Sequence, residues 1–387
     1  METNTFIMQN DWKDICNRGI INLGNLFPFQ KIIKKAHQGE RIGIGFIGGS
    51  ITAGSLSSSP NLCYAYLVYN WFEEKFPMSG VEYINAGIGA TTSRLGVARA
   101  KEDLLSYSPD VVFVEYSVND SNEEKYMETY EGLIRRILLH MDNPAVILIN
   151  SVAYDSGMNA QDIHNRVGEY YSLPIVSMKD SIYTEIESGR LNAEMITPDY
   201  LHPNDLGHRM LADIIINLLE TIYYNVINNI KQDDSYELPK QPITRNQYME
   251  SLLLNNKNLR PTLNGFKVDP ANKEGLWDVF KNGWYGDLKG AKICFNVECK
   301  SLAILYRKYA KKEGDRDGCF APIARLVVDN NKEDAIILDA HFDEEWGDCL
   351  YLHEVIANDV VSKHLIDISI MDEAKGKGFY IASIIRA

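Results

Sequence analysis

The run Ile42-Gly43-Ile44-Gly45-Phe46-Ile47-Gly48-Gly49-Ser50-Ile51-Thr52-Ala53-Gly54 joins an apolar stretch of strand length to two glycines, a serine and the start of a polar loop. Unbroken apolar character over residues 42–47 predicts a strand buried on both faces, as in a parallel sheet. Loops at the carboxyl ends of such strands open onto the crevice where α/β sheets bind ligands, which makes Ser50 a candidate nucleophile held by a rigid element. Gly48 and Gly49 permit close approach of a substrate and backbone angles that a Cβ would forbid. Taken alone, the same run also suits a helix N-cap at Ser50 or a phosphate-binding glycine loop.

Outward from this run, strand-like and helix-like patterns alternate. Residues 27–39 suggest a short helix with Pro28 near its start and Gly39 as its stop. Helical patterns follow over 62–76, 93–105, 123–140, 160–171 and 205–228, interleaved with strand patterns over 81–84, 111–115, 145–150 and 174–177. Five β/α units predict a parallel sheet with helices on both faces. Residues 231–261 are polar and proline-punctuated, with one helical piece near 247–254, and read as a linker. Beyond Pro261, short segments rich in β-branched and aromatic residues recur over 293–297, 302–307, 325–328, 335–338, 350–355, 364–371 and 379–385. They predict an antiparallel β-sandwich of jelly-roll type. The expected division is therefore 1–230, a linker over 231–261, and 262–387.

Composition narrows the function. The chain has 387 residues, 45% hydrophobic and 24% charged, which at about 150 residues per domain suits two ordinary globular domains. Its 39 Lys and Arg against 53 Asp and Glu leave a formal net charge of −14, which argues against nucleic acid or an anionic membrane as partner. No signal-peptide pattern opens the chain and no apolar run reads as a membrane span. The six cysteines form no Cys-x-x-Cys and no metal-ligand spacing, so reduced thiols in a cytoplasmic protein, without metal or organic cofactor, are expected.

Parallel strands deliver their following loops to one rim. After Ser50 comes the small-residue loop 85–93, which includes Gly87, Gly89 and Ala90, and then the loop 115–120, which includes Asn119. An acyl-transfer site also needs a base and a group to orient it. Asp199-Tyr200-Leu201-His202-Pro203 places an aspartate three residues before a histidine. In a tight turn that carboxylate can accept the Nδ1 proton and leave Nε2 free to deprotonate a serine. The same segment also suits a helix-start turn in which Asp199 or Asn204 is a cap. His208 reads as a helix-face residue.

With these segments in order, Gly48-Gly49-Ser50-Ile51-Thr52, Asn85 to Thr92, Val118-Asn119-Asp120 and Asp199-Tyr200-Leu201-His202-Pro203, the chain resembles the SGNH (GDSL-type) hydrolase superfamily. The resemblance implies a flavodoxin-like three-layer domain with a five-stranded parallel sheet, Ser50 as nucleophile, His202 as base and Asp199 orienting it. It also implies an oxyanion hole made by the Ser50 N–H, an N–H at Gly89 or Ala90, and the Asn119 side chain. Two positions depart from the family pattern: Ala90 stands where a glycine is usual and can donate with a negative φ, and Val118 replaces a glycine before Asn119.

A β-sandwich behind such a domain resembles two-domain carbohydrate O-acetylesterases. That implies an acetylated oligosaccharide, mannan- or xylan-derived, as substrate. Candidate sugar contacts are Arg94 and Tyr154 on the rim, and Trp277, Trp284, Tyr285 and Trp346 in the C-terminal part. Each tryptophan equally suits core packing. The rival readings are a short-chain acyl thioesterase or lysophospholipase, and a non-catalytic sugar-binding protein.

Overall fold

The computed structural model describes residues 9–230, 233–269, 279–310 and 321–387. The chain divides into two compact units, Met1–Met249 and Glu250–Ala387.

In the first unit, strands β1 (Ile20–Asn22), β2 (Ile42–Gly48), β3 (Val81–Gly87), β4 (Val111–Glu115), β5 (Ala145–Asn150) and β6 (Ile175–Ser177) form one six-stranded sheet in the order β1-β6-β5-β4-β2-β3. Strands β2 to β6 run parallel, and counted alone they give the order 2-1-3-4-5 of flavodoxin-like sheets. The sheet is thus the expected five strands plus β1, which pairs antiparallel with β6 at the edge. Three residues are too few to show a period, and β1 was not anticipated for that reason.

Helices α1 (Gln9–Arg18), α2 (Phe27–His37), α3 (Ser50–Ala53), α4 (Tyr64–Lys75), α5 (Ser93–Asp103), α6 (Glu124–Leu138), α7 (Gln161–Tyr170), α8 (Thr184–Glu187) and α9 (Asp205–Ile227) complete the unit. Ile42, Ile44 and Phe46 of β2 share one core with Phe113, Ile147 and Ile149 and with residues of α2, α4 and α9. By length and hydropathy α9 is apolar enough to cross a membrane, contrary to the reading of its sequence. Here it buries Met210, Leu211, Ile214, Ile215, Leu218 and Ile222, the 3–4 spacing of a helix lying on a core. Of the stretch expected as a linker, residues 233–249 fall within this first unit.

The second unit is antiparallel, with strand order β13-β12-β15-β11-β16-β10-β9 along its main path. Its strands are β7 (Leu252–Leu254), β8 (Thr262–Asn264), β9 (Lys267–Val268), β10 (Trp284–Gly286), β11 (Lys292–Ala310), β12 (Ile323–Val328), β13 (Asn331–Asp339), β14 (His341–Phe342), β15 (Cys349–Ile370) and β16 (Phe379–Arg386). Four segments expected as separate strands are two long ones, β11 and β15, paired from Lys292 opposite Ser369 to Lys308 opposite Cys349. Register irregularities near Cys299 and Leu302 bend them, and these interruptions broke the sequence period without ending the strands. The helix expected near 247–254 is a turn followed by β7, whose leucines pair with Ile384 to Arg386. Trp284, Phe295, Tyr306 and Phe379 anchor this unit's core.

Candidate active site

Gly48 ends β2, Gly49 is the N-cap residue and Ser50 opens α3, whose single turn closes when Gly54, at φ +91°, donates its N–H to the Ser50 carbonyl. Ser50 is 8% exposed. A Cβ on Gly49 would stand 2.2 Å from Asn119 Oδ1 and would push the Asn119 carboxamide out of its place.

His202 arrives from far along the chain, and its Nε2 lies 2.8 Å from Ser50 Oγ. Its Nδ1 lies 2.7 Å from Asp199 Oδ2. The other carboxylate oxygen, Oδ1, accepts from the N–H groups of Leu201 (3.0 Å) and His202 (2.7 Å) and from Thr197 Oγ1 (3.1 Å). Partial burial alone would raise the Asp199 pKa, but hydrogen bonds from the His202 ring and the two N–H groups outweigh it and hold the carboxyl below its usual value. Tyr200, between them, is left-handed at φ +61°, the conformation that curls the turn back on Asp199. The helix-start reading holds for Asn204, whose Oδ1 accepts the Gly207 N–H as the cap of α9.

The loop after β3 is tied at its near end by Ile88 N–H to the Gly48 carbonyl (3.1 Å) and by Thr91 Oγ1 to the Ile88 carbonyl (2.7 Å). A Cβ on Gly89 would sit 3.6 Å from Ser50 Cβ, which places this residue beside Ser50. Ala90 has φ +56°, so the condition of a negative φ set for it as donor is not met, and alanine here adopts a conformation natural to glycine. Among the described residues neither the Gly89 nor the Ala90 N–H has a protein acceptor. Asn119 Oδ1 is buried without a hydrogen bond, and no protein group takes its Nδ2 among those residues either.

Three buried groups were given no role in the reading of the sequence. Asp120 accepts Ser93 N–H at 2.9 Å and meets His164 Nε2 at 3.1 Å, tying the loop after β4 to the start of α5. His164 is itself stacked on Tyr130 at 3.6 Å between centroids. Glu115, fully buried at the end of β4, has its pKa pushed up to about 7, first by burial. Apolar neighbours in sequence are the only signal such groups leave. His208 packs as a helix-face residue, with Nδ1 accepting Tyr64 N–H and burial lowering its pKa.

The proposed sugar contacts fare differently. Arg94 (1% exposed), Tyr154 (4%) and Trp284 (0%) are interior, and Trp284 packs edge-on to Phe295. Their side chains offer no surface to a saccharide. Tyr285 is half-buried, Trp346 is 57% exposed with Phe342 edge-on at 5.0 Å, and Trp277 lies outside the described residues.

A doubly wound sheet with Ser50 and Asn119 after its strands and Asp199 and His202 just before α9 has the arrangement of an SGNH-type ester hydrolase, and the GDSL-like lipase/acylhydrolase family model matches residues 46–210. The match to solved structures extends through both units. A two-domain esterase active on acetylated mannans, co-crystallised with mannopentaose, is 41% identical with a TM-score of 0.88, covering 96% of this chain and 97% of that one. The chain belongs to the GDSL-like lipase/acylhydrolase family. An acetylxylan esterase of Geobacillus stearothermophilus is 26% identical over 197 residues, 43% of this chain and 89% of that protein.

Proposed function

We propose that the protein removes O-acetyl groups from oligosaccharides, mannan- or xylan-derived, through an acetyl-serine intermediate. The observation that carries the mechanism is the continuous hydrogen-bond chain from Ser50 Oγ through the His202 ring to Asp199. Ser50 Oγ attacks the acetyl carbonyl carbon while His202 Nε2 takes its proton. The tetrahedral oxyanion is received by the Ser50 N–H, an N–H at Gly89 or Ala90, and Asn119 Nδ2. The sugar oxygen then leaves with the proton held on His202. Water, deprotonated by His202, attacks the acetyl-serine, and acetate departs as Ser50 recovers its proton. Asp199, kept ionised, stabilises the imidazolium in both halves.

The likeness to a mannan esterase over both units supports the saccharide assignment. Cys16, Cys63, Cys294, Cys299 and Cys349 are all free thiols, in keeping with work in the cytoplasm. The test is acetate release from acetylated manno-, xylo- and chito-oligosaccharides, with acetyl, butyryl and octanoyl aryl esters alongside. Release from mannan or xylan fragments with no octanoyl turnover is expected. Octanoyl turnover without any sugar deacetylation would replace this reading by a lipid or thioester one.

A further inference from the structure

The loop after β3 carries a left-handed alanine and so needs support at both ends. Its near end is bonded to Gly48 as described. Its far end runs into α5, where Ser93 Oγ meets Thr129 Oγ1 at 2.6 Å and the Arg94 guanidinium lies 4.6 Å from the centre of the Tyr248 ring. Arg94 and Tyr248 are 1% and 6% exposed. A buried guanidinium against an aromatic face is a substantial interaction because water does not compete for it.

Tyr248 is brought there by a built seat. Glu128, Glu131, Gly132 and Arg135 lie on one face of α6, at the spacing that keeps helix residues in line. Glu128, Glu131 and Arg135 all hold residues of the segment 239–249. Arg135 Nη1 donates to the Pro239 carbonyl at 3.1 Å, and Glu128 Oε1 accepts Gln247 N–H at 3.0 Å. Glu131, fully buried, accepts Ile243 N–H (2.7 Å), Thr244 N–H (2.8 Å), and the hydroxyls of Thr244 and Tyr171. A Cβ on Gly132 would stand 3.0 Å from Met249 N, so this strap lies directly on the helix backbone. Further back, Asp233 Oδ2 accepts Leu26 N–H and Tyr236 Oη donates to the Tyr171 carbonyl. Burying a carboxylate is costly unless its oxygens are filled, and here the strap's backbone fills them.

We infer that Tyr248 is a positioning residue for the oxyanion side of the site, acting through Arg94, and that the strap 233–249 exists to deliver it. The inference rests on the esterase reading above. Removing the ring takes away the face against which the Arg94 guanidinium packs, and so loosens one of the supports of the first turn of α5, which follows directly on the loop holding Gly89 and Ala90. A small displacement of oxyanion donors lowers turnover far more than ground-state binding.

The test is steady-state hydrolysis of 4-nitrophenyl acetate by the full chain and its Y248F, Y248L and Y248A variants, with thermal melting of each. Y248F, which keeps the aromatic face, is expected to retain most of kcat. Y248L and Y248A are expected to lose about tenfold in kcat with KM within about twofold. A folded Y248L with wild-type kcat would overturn the inference, showing the ring to be merely structural. Should both non-aromatic variants fail to fold, R94K decides, since it keeps the charge and loses the planar stack: a comparable kcat loss supports the inference and an unchanged kcat overturns it. An inactive wild type would instead sink the esterase reading itself.

Discussion

Each unit of this protein contains a Ser–His–Asp hydrogen-bond chain, and the two are nearly identical in distance. In the first unit His202 bridges Ser50 Oγ at 2.8 Å and Asp199 Oδ2 at 2.7 Å. In the second, His364 bridges Ser362 Oγ at 2.7 Å and Asp329 Oδ2 at 2.8 Å. Both aspartates also accept a nearby backbone N–H and are held below their usual pKa, Asp329 first by the Leu365 N–H. What differs is the setting. Ser50 sits at the end of a buried parallel strand, beside Gly89, Ala90 and Asn119, whose donors have no acceptor in the described protein. Ser362 lies exposed within β15 opposite Cys299, and it meets His364 because residues two apart share a strand face. Asp329 belongs to the tight turn into β13, with φ positive at Asp329 and Asn330, so its pairing with His364 staples a hairpin to the neighbouring strand. A relay of correct length is thus not enough to mark a site, and burial at a strand end beside donors that no described residue takes sets the Ser50 relay apart.

Four measurements bear on that contrast. S50A is expected to lower kcat for aryl acetates by about 10⁴-fold or more, while S362A leaves it within twofold. Residual S50A activity that disappears on adding S362A would erase the distinction. N119A is expected to cost about 10²- to 10³-fold in kcat, the usual price of one oxyanion donor, with little change in melting temperature. A loss confined to KM would remove Asn119 from that role.

The third concerns Glu115, beneath the nucleophile turn. Its folded pKa of about 7 lies above the ordinary 4.5, so the folded state holds a proton that the unfolded state has lost. Stability is therefore fully present below about pH 4.5 and falls as pH rises through 7, by on the order of 3 kcal/mol. Denaturant titrations of wild type and E115Q between pH 5 and 8 should show this slope only in the wild type; equal slopes would mean that Glu115 is not its source. The smallest effect belongs to the second relay: D329A should lower stability by about 1 kcal/mol through the lost staple and leave kcat untouched. Any loss of turnover would give that relay a functional part.

Much of the site was legible because its signals are local. Ser50 follows an apolar strand and two glycines, Asn119 closes a strand-end loop, and Asp199 and His202 are three residues apart, so one turn joins them without help from the rest of the chain. Arg94, Tyr154 and Trp284 were misplaced as sugar contacts because position on a rim or within an aromatic motif says nothing about which way a side chain faces. The strap over 233–249 reads as a polar linker because its partners, Glu131 and Arg135, lie about a hundred residues away on α6. Glu115 carries no mark of its burial in the apolar strand that contains it.

The sequence by itself determined the alternation of strands and helices, the parallel order of the catalytic sheet, the antiparallel character of the second unit and the residue types of the site. Tertiary structure alone decided that His202 closes on Ser50 across 152 residues, that Ala90 takes a left-handed conformation, and that Ser50, unlike the exposed Ser362, is buried at a strand end beside Gly89. The physical reason is one of range. Backbone periodicity and turn chemistry are set by residues within a few positions of one another, whereas burial, hydrogen-bond satisfaction and access to solvent depend on everything that packs around a residue.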